Sequence, residues 1–414
     1  MLKSVFIIRY SIYLRRMQFK EVLGQQPVKE QLAQMVEHNR LSHALLFLGR
    51  EGTGGLSLAR ALAQFLVCEK VTGRNKQPAG PSLFGDAEPE PAAFPTDSCG
   101  VCPGCVKASQ MIHPDIHFSY PVVPKKAGDK PISTDYITEW RSFLFSQPYG
   151  NAYDWLQAIG AENKQGNITA HECSEIIRKL NLKSFESGYK ILIMWMPEFL
   201  GKEGNKLLKL IEEPPADTLF ILVAETEELI LPTILSRTQL VKIPPLEPEA
   251  IASAPVLQNE PDKARLVAGI CDGNFREALQ LMQHTDENWL SLVKDCMNAA
   301  LKTGPVAMVK WVEQVAAYGR EKQKQFLKYF LNLLEQGIVA QITGGKGLQL
   351  TPEEQEFTLR LSKMAGVGGL EAMAQQFNNA IYHIERNANG KMLFHALIIR
   401  IYHIIANKNV ILVH

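Results

Sequence analysis

At 414 residues the chain is long enough for two or three domains of ordinary size, and 46% hydrophobic with 21% charged residues is globular material. A formal net charge of +1 excludes a protein-wide attraction to nucleic acid or membrane, so any such contact rests on a local patch. Seven cysteines, four of them grouped, exclude a disulfide scaffold and point to metal in a reducing compartment, which reads as cytoplasmic.

The opening MLKSVFIIRYSIYLRR is basic and apolar, yet it has no long apolar core, no small-residue cleavage site and too little length to span a bilayer. Residues 1–16 read as a non-native or disordered extension ahead of a natural start at Met17. From Phe19 the text FKEVLGQQPVKEQLAQMVEHNR predicts a turn at Gly24 and a helix with Val28, Leu32, Met35 and Val36 on one face. An apolar run over 44–48 then breaks into a Gly-rich turn and an apolar-periodic segment, the strand, loop and helix of a phosphate-binding P-loop.

The expected spacing of such a loop is GxxxxGK[ST], and here it reads Gly49, Arg50, Glu51, Gly52, Thr53, Gly54, Gly55, Leu56. Gly49, Gly52, Gly54 and Gly55 would let backbone N–H groups approach an anion. The lysine that reaches the β- and γ-phosphates and the hydroxyl that ligates magnesium are both missing. Productive ATP binding is therefore not expected, which leaves room only for a loosely held anion at the helix N-terminus.

A helix over 57–67 ends at Cys68, and a Pro- and Gly-rich stretch over 71–98 reads as a mobile surface loop. Cys99, Cys102 and Cys105 follow in SCGVCPGC. Three thiolates two residues apart fit the knuckle that wraps a tetrahedral ion, with Cys68 the natural fourth ligand. Closed coordination would make the zinc structural; buried free thiols are the alternative. A catalytic zinc is disfavoured because the HxE pair His383 and Glu385 lies far off in a helical stretch.

HPDIHFSY predicts a turn into a strand. The insert 121–167, rich in Pro, Gly and aromatic residues, predicts short packed helices with no assignable role. A helix over 168–182 precedes the continuous apolar run 190–196, a buried central strand. Its end, where a working ATPase carries acidic residues for magnesium and water, is Met194, Trp195, Met196 and Pro197. GNKLLKLIEEPP predicts a helix stopped by Pro214 and Pro215, and 218–224 another apolar strand. After Pro244 and Pro245 the chain reads as helical to the end, and KMLFHALIIRIYHII is apolar nearly all round, as in a helix buried in a bundle or between subunits.

FKEVLGQ, RLSHALLFLG, Cys68 with CGVCPGC, NKLLKLIEEPP, ILSRT and GNFREAL, spread over residues 17 to about 300, together resemble the bacterial DNA polymerase III clamp-loader family of AAA+ proteins. The resemblance implies an α/β P-loop domain over 17–245 with a parallel sheet, a zinc module (68–105) and the insert (121–167). A helical lid (246–303) and a helical collar for oligomerisation (304–414) would follow. ATP-hydrolysing gamma/tau members would keep a lysine and threonine in the loop and an Asp-Glu pair on the strand, so the losses imply a noncatalytic member. In this family a Ser-Arg-Cys motif presents an arginine to a neighbour's ATP site. Ser236 and Arg237 match it, with Thr238 in place of the cysteine. Arg276 in GNFREAL matches a second arginine that touches the subunit's own nucleotide, and ERNANGK before the last helix also resembles the family.

Implied partners are the gamma/tau and delta subunits and, through the complex, a sliding clamp and primed DNA, with no membrane. Two rivals remain: an ATP-hydrolysing gamma/tau-type subunit, and a zinc-bearing DNA-binding module on a P-loop scaffold. Lys125, Lys126 and Lys130 form a small basic group that a solvated loop explains.

Overall fold

Strands buried on both faces read as unbroken apolar runs. In the computed structural model such runs become β1 (Ala44–Leu48), flanked in the chain by β2 (Ile116–Ser119), β3 (Lys190–Trp195), β4 (Thr218–Ala224) and β5 (Gln239–Lys242). The structure describes residues 17–73, 94–126, 128–161, 164–283, 289–345, 348, 350–385 and 388–406. The expected extension over 1–16 and most of the expected loop over 71–98 lie outside these residues. The five strands form one parallel sheet in the order β2-β3-β4-β1-β5. Registers such as Leu46 opposite Leu222 and Ile193 opposite Ile221 bring the carboxyl ends of β1, β3 and β4 to one edge.

Successive side chains of a strand point to opposite faces, and the core divides accordingly. Leu45, Phe47, Ile191, Ile193, Ile221 and Val223 pack with the helix Gly55–Val67 and with the insert. Ala44, Leu46, Leu192, Met194, Phe220 and Leu222 pack on the other side against Ile176, Leu180, Leu207 and Ile234. Trp195, at the end of β3, belongs to the first of these cores, its ring 5.2 Å from that of Trp140.

The insert forms short helices, Ile137–Ser146 and Ala152–Ala158, as its apolar content predicts. Its aromatic residues build a cluster: Tyr120 stacks on Trp140 at 3.9 Å, and the fully buried Trp155 sits 5.1 Å from Trp140 and donates its ring N–H to the Pro121 carbonyl at 2.7 Å. The helix expected over 168–182 runs Ala170–Leu180, capped by the Thr169 hydroxyl, which accepts from the Glu172 N–H. The helix expected in GNKLLKLIEEPP is shorter. Tight 3₁₀ turns occupy Pro197–Leu207, interrupted at Gly201 (φ 50°), and only Leu208–Glu212 is α-helical. QLVK, which no pattern singled out, forms edge strand β5 with only Val241 turned inward.

These elements, together with 272–277, make one compact unit that runs to residue 259; residues 260–271 and 278 onward make a second. The second unit is helical, with Trp289–Asn298, Pro305–Ala316, Arg320–Thr343, Pro352–Glu385 (broken at Gly366) and Gly390–Ala406 around Phe326, Phe330, Phe377 and Phe394. The last helix buries Phe394, Leu397, Ile398 and Ile401 but leaves Met392 and Ile399 exposed. Among the described residues no helix is long and apolar enough to cross a membrane.

Candidate functional site

The loop of residues 49–54 leaves β1 at the carboxyl edge of the sheet, between β4 and β5, where ligands of open α/β sheets bind. Gly52 and Gly54 adopt φ of 72° and 92°, and Gly54 caps the helix Gly55–Val67. Neighbouring protein atoms also require glycine here. A Cβ on Gly52 would lie 1.8 Å from Asn274 Oδ1, and one on Gly55 would meet the Val223 side chain at 3.2 Å. Leu56 is buried.

Two other segments close over this loop. Glu51 accepts from Asn151 Nδ2 at 2.6 Å and from Asn274 Nδ2 at 2.9 Å, while the Phe275 N–H donates to the Gly52 carbonyl at 3.1 Å. The Ser57 hydroxyl donates to the Pro148 carbonyl, and the Tyr149 ring lies 3.0 Å from the position a Gly54 Cβ would take. The Arg276 guanidinium, 6% exposed, forms a forked ion pair with Asp154, with Nη2 2.7 Å from Oδ1, and stands 3.8 Å from Glu51. The space remaining, between the loop, Tyr149, Met196 and Glu225, is about 30 Å³. That holds about one water, whereas small-ligand pockets run from roughly 300 Å³ upward.

Burial first, then the nearby Glu51 and Glu198, push the Glu225 carboxyl up to about 8, with Arg276 opposing. Glu198 is raised by its own burial, against the backbone N–H groups of Thr226 and Glu225 that bond to it. A carboxyl whose pKa rises on folding binds its proton more tightly in the native state, so stability falls as pH climbs from about 4.5 towards 8. Glu225→Gln is expected to remove this loss, gaining on the native chain by up to about 1.4 kcal/mol per pH unit in that window. Urea unfolding at pH 5, 6.5 and 8 measures it; parallel curves for the two chains would contradict the assignment.

The four cysteines meet as the spacing predicts. Cys68 ends the helix Gly55–Val67, Cys102 precedes the helix Pro103–Ser109, and the Sγ atoms of Cys68, Cys99, Cys102 and Cys105 lie within 4.8 Å of one another. A tetrahedron with metal–sulfur bonds of about 2.3 Å has edges of about 3.8 Å, and Cys99 and Cys105 are 3.9 Å apart. The N–H groups of Cys99, Cys102 and Glu69 point at the sulfurs of Cys68, Cys99 and Cys102, which favours thiolates. A hydrogen bond from Cys105, helped by backbone N–H groups of Cys99 and Val71, holds the Cys68 thiol down near 4 against its burial. This donor set can hold a metal ion, and four sulfurs suit zinc.

Ser236 and Arg237 lie apart from both groups, between the short helix Pro232–Leu235 and β5. Arg237 is one-third exposed. Its Nε and Nη2 pair with Glu212, and its Nη1 donates to the Thr233 carbonyl at 2.9 Å and the Ser236 hydroxyl at 3.0 Å. Thus the predicted residues fall in three places: Gly49, Gly52, Gly54 and Gly55 with Arg276, the cysteines, and Ser236 with Arg237. Of the basic group, Lys125 lies over the Tyr136 ring and donates to the Asp135 carbonyl. Sequence reasoning missed Glu51, Asn151, Asp154, Asn274, Glu212 and Glu225. N-x-x-D at Asn151 and Asp154 is a capping-box pattern, which announces a helix start and says nothing of a partner 122 positions away.

A parallel sheet with a glycine loop and helix at the strand-order switch defines a P-loop α/β domain, here joined to a helical C-terminal unit. The sequence profile described as "DNA polymerase III, delta subunit" matches residues 24–82 and 88–247, just over half of the chain, and the chain belongs to that family. It is 29% identical over 270 residues to the DNA polymerase III subunit delta' of Bacillus subtilis (65% of this chain) and spans 62% of that relative's length. It is 25% identical over 314 residues to the delta' subunit of Escherichia coli (74% of this chain, 73% of the relative). A gamma/tau subunit of Mycobacterium tuberculosis is 28% identical over 221 residues (53% of this chain, 27% of the relative). The clamp-loader resemblance read from the sequence, on its delta-prime side, agrees with these matches.

Proposed function

We propose that the chain is a noncatalytic delta-prime subunit of the DNA polymerase III clamp loader, acting in the cytoplasm. It would combine with gamma/tau and delta subunits to load a sliding clamp onto primed DNA. The observation that carries this reading is the loop 49–56, which has Gly55 and Leu56 where the motif places its lysine and magnesium-binding hydroxyl and lies under Asn151, Tyr149 and Asn274. An ATP-hydrolysing role has no support in that geometry.

In this reading Arg237, set beside Ser236 on an exposed turn, is lent to the ATP site of a neighbouring gamma/tau subunit. A guanidinium placed there stabilises charge on the phosphoryl oxygens in the transition state. Arg276 serves its own subunit as a structural ion pair. The cysteine cluster holds one structural zinc, and the chain is organised as a P-loop domain (17–245), lid (246–303) and collar (304–414). Titration of the isolated chain with magnesium ATP tests the noncatalytic part: no saturable binding at millimolar nucleotide is the expected result, and tight magnesium-dependent binding would restore the gamma/tau-type alternative.

A further inference from the structure

We propose that residues 148–154 are a built-in seal over the degenerate loop, with the Asp154 carboxylate acting as the permanent counter-anion of Arg276. The inference deepens the noncatalytic reading and rests on it, and it gives the insert a role that its sequence did not reveal.

The seal is anchored in the hydrophobic core. Trp155 is fully buried among Tyr120, Trp140 and Phe143, so the helix Ala152–Ala158 has a fixed rotation and the preceding residue, Asp154, is carried to the loop side. Asn151 and Asp154 cap each other reciprocally: Asn151 Oδ1 accepts from the Asp154 N–H at 3.0 Å, and Asp154 Oδ2 accepts from the Asn151 N–H at 3.2 Å. The remaining polar atoms turn outward, Asn151 Nδ2 to Glu51 and the Asp154 oxygens to Arg276. Tyr149 adds a second tie, its ring against Gly54 and its hydroxyl accepting from the Leu23 N–H at 2.8 Å.

Charge explains why a carboxylate is needed there. Arg276 is 6% exposed and Asp154 10%, so the guanidinium is largely removed from water, and a cation so placed is strongly destabilising without a partner. Glu51, 3.8 Å from Arg276, is the more distant second carboxylate, and Asp154 makes the close forked pair. Here the counter-charge belongs to the chain, and segment 272–277 stays closed over the loop with no ligand.

Thermal unfolding of the full chain with and without about 100 mM sodium acetate, against sodium chloride at the same ionic strength, tests this. The native chain is expected to show no shift. Asp154→Ala is expected to lower the midpoint by roughly 5–10 °C and to recover part of that loss with acetate, because a carboxylate refills the vacated charge site and stabilises by mass action. Asp154→Ala combined with Arg276→Ala should show no recovery. Asp154→Asn, which keeps the shape and removes the charge, gives the same reading should the alanine variant fail to fold. No recovery in either single variant, equal recovery in the double variant, or an equal shift in the native chain would each overturn the seal. Magnesium ATP binding by the native chain would instead overturn the noncatalytic reading, so the two failures are separable.

Discussion

In a clamp loader reconstituted with gamma/tau and delta, Arg237→Ala is expected, under the proposed finger role, to lower clamp- and primer-stimulated ATP turnover by a factor of about 10³ at the neighbouring site, the lower end of the range for trans arginines in GTPases. The loss should fall on kcat, with the KM for ATP nearly unchanged, because the guanidinium meets charge that develops only in the transition state. Arg237→Lys should rescue little, since an ammonium lacks the planar fork that grips two oxygens. Destabilisation does not account for such a loss. The pair with Glu212 is one-third to nearly half exposed, and exposed pairs contribute about 0–1 kcal/mol. Steady-state turnover beside a melting curve of the variant separates the two effects, and a full rate with Arg237→Ala would remove the finger.

Loss of the proposed zinc is expected to be the most damaging change to the fold. Cys68 terminates the helix that begins at the phosphate loop, and Cys102 and Cys105 frame the helix Pro103–Ser109, which lies so close that a Cβ on Gly104 would stand 2.4 Å from the Val67 carbonyl. Without an ion four sulfurs crowd one point; burial then makes Cys102 hold its proton, and a hydrogen bond to Cys68 together with burial does the same for Cys105. Structural zinc contributes about 10–16 kcal/mol of apparent binding energy in small zinc domains at neutral pH. Cys68→Ser, or chelation of the native chain, should therefore take bound zinc from about one per chain to none and lower the midpoint by more than about 10 °C. Elemental analysis with a melting curve measures both. Zinc should also leave as pH falls below about 5–6, where protons compete for the sulfurs. A native chain free of metal and indifferent to chelator would show the cluster to be four buried thiols.

Features fixed by local chemistry were legible in the sequence. The unbroken apolar runs of β1, β3 and β4 announced buried strands, which the structure pairs in parallel, and CxxCxxC with Cys68 announced a cluster that the structure brings together. Less legible were features set by what lies across the sheet. β5 carries a single inward residue, Val241, and gives almost no periodic signal. GNKLLKLIEEPP reads as one helix, but Gly204 lies against Leu231 and Ile234, and the segment runs as 3₁₀ turns as far as Leu207. The cover of the loop was invisible for a similar reason. Asp154 and Arg276 are each unremarkable in their own stretch, and only the fold makes them partners.

The packing at Gly55 bears on how such a chain could change over evolutionary time. A Cβ there would stand 3.2 Å from the Val223 side chain and 3.4 Å from that of Ile243, so a lysine at this position requires Val223 to give by a few tenths of an ångström. Meanwhile Tyr149 and Asn274 already fill the approach. A phosphate-holding loop here would therefore need room made at Tyr149 and Asn274 as well as new residues at 55 and 56.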